Sequence, residues 1–472
     1  MKRVYLYTVV LLLSALMIMP VARVSSAAAA QVEVRHTIIA ASGGVAPNGG
    51  TYTPLFFNAT VNAQHEVAFD AFLSGSPDTS GVFVGDGKTT STIALAGNPD
   101  PTASSFATVF NPFITPNGDV VFDVNDTDTF KSDGKTIVPL VRDGDQAPGG
   151  GTLSPLGETH AVNDHGVISY LAFLSGTTAT QAIFRTDGTE TVAIARDDIA
   201  PPTGGTFAAL FNPVMNDRGQ VAFKSEMTGG SADNGIFRGE GGDLTPVFVT
   251  NQIVPGGAII QDVGTPAINS HGQVAALCLL TNSASRIGLF VGDGTDVVPI
   301  AVEGQPAPRG GNYGTFFPGI TRINDRGEVA FQAQFPGLKF GIFRHSVGGT
   351  ATLAFTGMNA PGTTGTFASF GADIRLLNDG RVAFMARLTN GVGGVDSSNN
   401  MGIWVGTSEE DLQLVVRTGD VIGGKVLKSL PFQSGVVSQQ FGVNENGVLW
   451  IGSFQSNAKA IIFSRIVGRN DD

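Results

Sequence analysis

Several Arg and carboxylate groupings in this chain are of the kind that grips a sugar or peptide, or that stages acid–base chemistry when two carboxylates converge. They are Arg142 with Asp143 and Asp145, Arg196 with Asp197 and Asp198, Glu303 with Arg309, and Arg417 with Asp420, preceded by Asp100. Most stand in or beside Gly/Pro-rich stretches such as 144–150 and 304–311, so they share a structural address despite their distance in sequence. A second, polar set recurs seven places before a repeated turn residue. It comprises Asn58, Asn111, Thr159, Asn212, Thr265, Asp373 and Gln440, with Ile320 the one apolar member. Both sets have a plainer role available: rim charges pair with one another, and polar side chains satisfy buried backbone.

Other chemistries lack their signatures. There is no Gly-x-Ser-x-Gly, no phosphate-binding loop, no dinucleotide fingerprint and no His-Glu-x-x-His. His65, His165 and His271 fall in or beside the repeated turn, in different repeats, and His160 lies five residues from His165 across a turn, so no metal site is expected. The stretch 123–128 has the acids of a calcium loop without its glycine or distal glutamate. The single cysteine, Cys278, sits in an apolar run at 274–280, as a buried structural thiol would, and excludes an intramolecular disulfide. No catalytic residue and no cofactor are assigned.

The elements that must position these residues repeat. Asn216-Asp217-Arg218-Gly219-Gln220-Val221-Ala222-Phe223 is a tight turn feeding a strand whose residues alternate at period two, and variants of it occur eight times. The turn residues His65, Gly118, Gly166, Gly219, Gly272, Gly327, Gly380 and Gly447 are spaced 53, 48, 53, 53, 55, 53 and 67 apart. Each repeat contains strands a, b, c and d. Strand c is marked by an aromatic (Phe83, Phe130, Phe184, Phe237, Phe290, Phe343, Trp404, Phe463), and an Asp-Gly pair follows it in four repeats, predicting type I′ hairpins. About 53 residues in four antiparallel strands is the size of a propeller blade.

The last repeat ends after strand c, and a strand with its link precedes the first, at 36–50. The fold expected is therefore all-β: an eight-bladed β-propeller of four-stranded antiparallel blades, spanning 31–468, whose N-terminal strand completes the last blade and closes the ring. In such a ring the d–a links and b–c loops share one face, the a–b turns occupy the other, and strand a borders the channel. The seven-before series is expected on the channel side of strand a, and the apolar four-before series (Val61, Ile114, Val162, Met215, Ile268, Ile323, Leu376, Val443) on the packing side.

Nearly all of the chain after residue 30 resembles the bacterial tandem-repeat family named for its Asn-x-x-Gly-x-x-Ala-Phe motif, a choice-of-anchor group. Five copies keep both Asn and Gly, His65 replaces the Gly in the first, and the second and seventh shift the Asn. The resemblance implies export and a repeat fold, and no reaction. The tail at 469–472 carries no evident sorting signal.

Lys2 and Arg3, an apolar run from Val4 to Met19 and small residues through Ala30 have the form of a secretory signal peptide over 1–30. The whole chain carries −12; without Lys2, Arg3 and Arg23 it carries −15, an unfavourable charge for nucleic acid or an anionic membrane. The protein expected is secreted, periplasmic or extracellular, monomeric and without a membrane span. Its expected role is non-catalytic binding of an extracellular glycan or protein on the link-bearing face, at Asn58, Asn111, Asn212, Asp373, Arg142, Asp145, Arg196, Glu303, Arg309 and Arg417. The alternative is a secreted polysaccharide hydrolase or lyase using Asp, Glu and Arg around the channel mouth.

Overall fold

The computed structural model describes residues 33–101, 105–155, 160–431 and 440–467. The expected signal peptide, Thr159 and the tail lie outside the described residues. Eight antiparallel sheets follow one another as the blades of a β-propeller, and the described residues contain no α-helix. Among them, no helix is long and apolar enough to cross a membrane.

Blade four shows the plan. Strand a comes in two pieces, Thr206–Leu210 and Val214–Met215, both paired to strand b, Val221–Thr228; strand c is Asn234–Gly239 and strand d Thr245–Val249. Strand a is not continuous. It breaks because Pro213 offers no N–H to the ladder, and the chain steps out at Asn212 before pairing resumes.

Blade eight confirms the closure. The N-terminal strand Glu33–Ala41 pairs antiparallel with Lys459–Val467, from Glu33 opposite Val467 to Ala41 opposite Ala460. Its register slips between Ile38 and Ala40. A similar slip, one place nearer the strand c aromatic, occurs where strand d pairs in other blades, for example between Val82 and Phe83 and between Ile236 and Phe237. The N-terminal strand is thus a true fourth strand, bulge included.

In six blades the strand c aromatic lies directly across from an aromatic of strand b, with ring centroids 5.6 Å apart for Phe69 and Phe83, 6.0 Å for Phe223 and Phe237, and 5.4 Å for Phe331 and Phe343. Each core is built between blades: Ala222, Ile236 and Phe248 of blade four pack with Val274, Ala276 and Phe290 of blade five. Glycine two residues before the strand c aromatic lets the ring lie on the backbone. A Cβ at Gly288 would stand 2.6 Å from the Phe290 ring, and one at Gly402 the same distance from Trp404.

Two turn expectations need comment. His65 replaces the turn glycine by taking the left-handed conformation itself, with φ 68°. The Asp-Gly hairpins are not type I′: Gly87, Gly134, Gly188 and Gly294 have positive φ, but the aspartates before them do not. The carboxylate holds the loop instead. Asp187 Oδ1 accepts the N–H group of Glu190 (2.9 Å) and both the hydroxyl and the N–H group of Thr189 (2.7 Å each), which lower its pKa to about 2.

Candidate functional site

The motif asparagine, three places before the turn residue, is a fastener rather than a ligand-binding group. In blade four Asn216 Oδ1 accepts the N–H groups of Arg218 (3.1 Å) and Gln220 (2.9 Å), while its Nδ2 donates to the carbonyl of Asn269 in blade five (2.7 Å). Asn62, Asn163, Asn269, Asn324 and Asn444 do likewise toward the next blade, at 2.8 to 3.4 Å, and Asn444 reaches back to Asn62 across the closure. Leu377 cannot donate; in that blade Arg381 Nη2 bonds the Glu445 carbonyl at 2.5 Å. Six of the eight blades are thus tied to the next by an amide bond, Thr115 and Leu377 holding the motif position in the other two.

The seven-before series separates. Asn58 and Asn111 turn back onto strand b. Asn58 Nδ2 donates to Asp70 Oδ2 (3.0 Å), and Asn111 Nδ2 to Asp123 Oδ2 (2.8 Å). Asp70 also accepts the N–H groups of Phe57, Asn58 and, from the next blade, Asn111. Burial pushes its carboxyl above the ordinary range, opposed by these donors, whose N–H groups face both oxygens. Asp123, fully buried, accepts from Thr129 Oγ1 (2.9 Å) and lies 3.5 Å from His160 Nδ1. The stretch with calcium-loop acids is simply this blade's b–c turn, with Asn125 and Asp126 at positive φ. Asn212 is solvent-exposed on the step in strand a.

Asp373, the series member in blade seven, sits between two guanidinium groups. Arg375 Nη2 lies 2.9 Å from Oδ2, and Arg322 Nη2, from blade six, 3.5 Å from Oδ1. Arg322 Nη1 also donates to the carbonyls of Gly319 (3.1 Å) and Thr321 (3.0 Å). Burial, and then the neighbouring Arg375, depress the Arg322 pKa to about 10, and burial raises that of Asp373.

The link-face charges are engaged within the protein. Arg142 Nη2 binds Asp100 at 2.8 Å, its guanidinium lies over the Phe130 ring, and its backbone N–H donates to Asp145. Arg196, 4% exposed, binds Asp198 and the carbonyls of Pro148 and Gly150, bracing the link between blades two and three. Glu303 pairs with Arg286 at 2.7 Å, which holds its carboxyl below the usual range. Arg309 contacts Glu409, and Arg417 contacts the Asn399 carbonyl while its N–H donates to Asp420. No group of His, Cys, Asp and Glu among the described residues could hold a metal ion, and Cys278 is fully buried.

Sequence reasoning missed the partly exposed aromatics on the link-side halves of strands a and b. Phe57 and Phe72, 44% and 40% exposed, meet edge to face at 5.8 Å beside Asp70; Phe173 stands exposed in blade three, and Phe211 in blade four lies under Lys224 Nζ. Their signal was a break in pattern: Phe72, Phe173 and Leu279 fall seven places after the turn residue, where strand b is exposed. Asp70 and Asp123, five places after it, were detectable as acids within a buried strand. Two cavities, of about 270 and 580 Å³, open elsewhere between blades three and four: one at the a–b turns beside His165 and Asp217, the other against Ile194, Ile199 and Leu244.

The model of a family described as "Family of unknown function (DUF7453)" matches residues 123–459. No curated protein matches the sequence. Among solved structures, the chain is similar to PorZ, a surface component of the type-IX secretion system of Porphyromonas gingivalis, at 12% identity and a TM-score of 0.29. The alignment covers 86% of this chain and 55% of that one, so the chain spans little more than half of PorZ. It is similar also to the WD40 domain of SCAP from fission yeast (8% identity, 88% and 98% covered, TM-score 0.38) and to the polysaccharide lyase Uly1 (9%, 93% and 100%, 0.34). Likenesses at this level bear on neither activity nor ligand.

Proposed function

The chain belongs to the family of unknown function DUF7453, and from its geometry we propose that it is an exported, non-catalytic propeller that binds an extracellular glycan on the link-bearing face. The observation that carries this reading is the contrast on that face. The charged side chains there are spent on ion pairs and backbone carbonyls, while Phe57, Phe72, Phe173 and Phe211 remain exposed. An exposed aromatic ring is a stacking surface for the C–H face of a sugar. Spread over blades one, three and four, these rings do not form the continuous apolar area that a stable protein interface buries. Export is supported by the apolar N-terminal run and by the resemblance to exported repeat proteins.

Glycan-array screening of the purified chain, followed by titration of a retained oligosaccharide, tests the reading. Phe57→Ala with Phe72→Ala should weaken binding about tenfold or more, from about 0.5–1.5 kcal/mol per aromatic contact. Absence of any retained glycan, or unchanged affinity in the double variant, overturns it. Turnover of a polysaccharide, lost in Asp123→Asn or Glu303→Gln, would instead establish the hydrolase or lyase alternative.

A further inference from the structure

We propose that the outer edge of blade three is a strand-addition site: its strand d, Thr191–Arg196, pairs with an extended segment of a partner polypeptide that carries an aliphatic and a basic residue two places apart. The inference is independent of the glycan reading, which concerns the aromatic rings of the link face. Strand d ends the sheet in every blade, so one side of it has no further strand. In blades two, four and five the residue opposite the strand c aromatic is a proline, Pro139, Pro246 and Pro299, which has no N–H to offer an added strand. Blade three has Ala193 there, opposite Phe184.

Blade six shows what this place accepts. Its residue is Thr352, opposite Phe343, and the Thr352 carbonyl takes the N–H of Glu409 from the c–d loop of blade seven at 2.9 Å. Leu412 of the same loop is 5% exposed and packs with Leu353 and Ala354 of blade six. The chain thus fills its own groove there with a backbone donor and an aliphatic side chain. Between blades three and four the groove stays open. The Ala193 carbonyl faces the blade four hairpin, 3.7 Å from where a Cβ on Gly241 would stand, yet no N–H of residues 239–244 donates to it. That hairpin is a residue shorter, with six residues between Arg238 and Thr245 against seven between Val405 and Gln413. It also has Gly242 where blades one, two, three and five carry Lys88, Lys135, Thr189 and Thr295.

The result is a cavity of about 580 Å³, floored by Ile194 and Phe207 and flanked by Ile199, Pro202 and Leu244. Asp243 stands exposed at its rim without a basic side chain paired to it. These features define the ligand's chemistry. A free strand edge recognises backbone, the apolar walls take an aliphatic side chain, and Asp243 favours lysine or arginine. Alternate residues of an added strand share one face, which sets the spacing of two.

The test pans a display library of random dodecapeptides against the full chain and against Ala193→Pro. Three other blades hold proline at this place, so the fold accommodates it. Peptides with the aliphatic-x-basic pattern should be enriched on the native chain alone. The best of them, titrated by fluorescence anisotropy, should bind at least about tenfold more weakly to Ala193→Pro and to Gly242→Lys, and N-methylation of its central backbone amides, one at a time, should cost about fivefold or more at one of them, as loss of a hydrogen bond does. Absence of any enriched sequence, or equal binding to both variants and the native chain, overturns the site. Affinity unmoved by N-methylation at every position overturns strand addition. A dimer of the native chain in sedimentation velocity, abolished by Ala193→Pro, overturns the foreign partner and assigns the edge to a second copy. Glycan retention on the array is judged separately from all of these.

Discussion

Replacing Asn216 by Ala should destabilise the ring well beyond what one surface-polar truncation costs. Asn216 is 5% exposed, and its removal breaks three hydrogen bonds to backbone: it leaves the N–H groups of Arg218 and Gln220 without their partner and takes from the carbonyl of Asn269 in the next blade one of its two donors, the other being the Gly272 N–H. At about 1 kcal/mol for each bond the expected loss is about 3 kcal/mol, with little solvent access to repair it. Hydrogen exchange read by mass spectrometry on peptides spanning residues 216–223 should show the Arg218 and Gln220 amides exchanging about a hundredfold faster, and the urea midpoint should fall. Asn216→Asp separates the two roles. It keeps the acceptor for both amides but turns a carboxylate oxygen toward the Asn269 carbonyl, so local protection should survive while stability drops. A loss below about 0.5 kcal/mol in Asn216→Ala, with unchanged amide protection, would refute the claim that the motif asparagine joins blade to blade.

Three further outcomes follow from the same structure. Thr115→Asn should stabilise by about 1 kcal/mol in urea unfolding: Thr115 occupies the motif position, its hydroxyl is buried without a partner, and an amide there can reach toward blade three. Deleting residues 33–41 removes the strand opposite 459–467 and uncovers Ile461 and Phe463, so the melting temperature should fall sharply and limited proteolysis should cut within blade eight; an unchanged melting curve contradicts the closure. His36, in that closing strand, has its pKa lowered by burial, against a smaller opposing effect of Asp420. Its stabilising contribution is therefore present above the ordinary histidine pKa of about 6.5 and is lost as pH falls below it, because the unfolded chain takes up the proton first. Exchange protection of 33–41 should decline below about pH 6.5 in the native chain and stay level in His36→Gln.

Much of the architecture was legible in one dimension because a propeller is a local fold repeated. Turn, strand, hairpin and link lie within about 53 residues, so period, aromatic marker and an orphan first strand sufficed to count blades and to close the ring. The hairpin type was missed for a local reason: Asp-Gly favours type I′ as a dipeptide, but the carboxylate of Asp86, Asp133, Asp187 or Asp293 captures two amides and settles another loop.

The candidate site was far less legible, because its contacts run between blades. The sequence placed Asn58 and Asn111 in the innermost strands, but that each would turn onto an acid of strand b, and that Asp70 would bind the next blade's backbone, depended on a step in strand a that period counting cannot show. Arg142, Arg196, Glu303 and Arg417 stand at or just after the end of strand d, and only their partners revealed that they brace that face. Arg322 and Arg375, separated by 53 residues, share one carboxylate because adjacent innermost strands stand side by side. Spacing along the chain determines which residues occupy equivalent places in successive blades. Only the closed ring decides which of those places touch, since each blade completes its packing and its hydrogen bonds on the next.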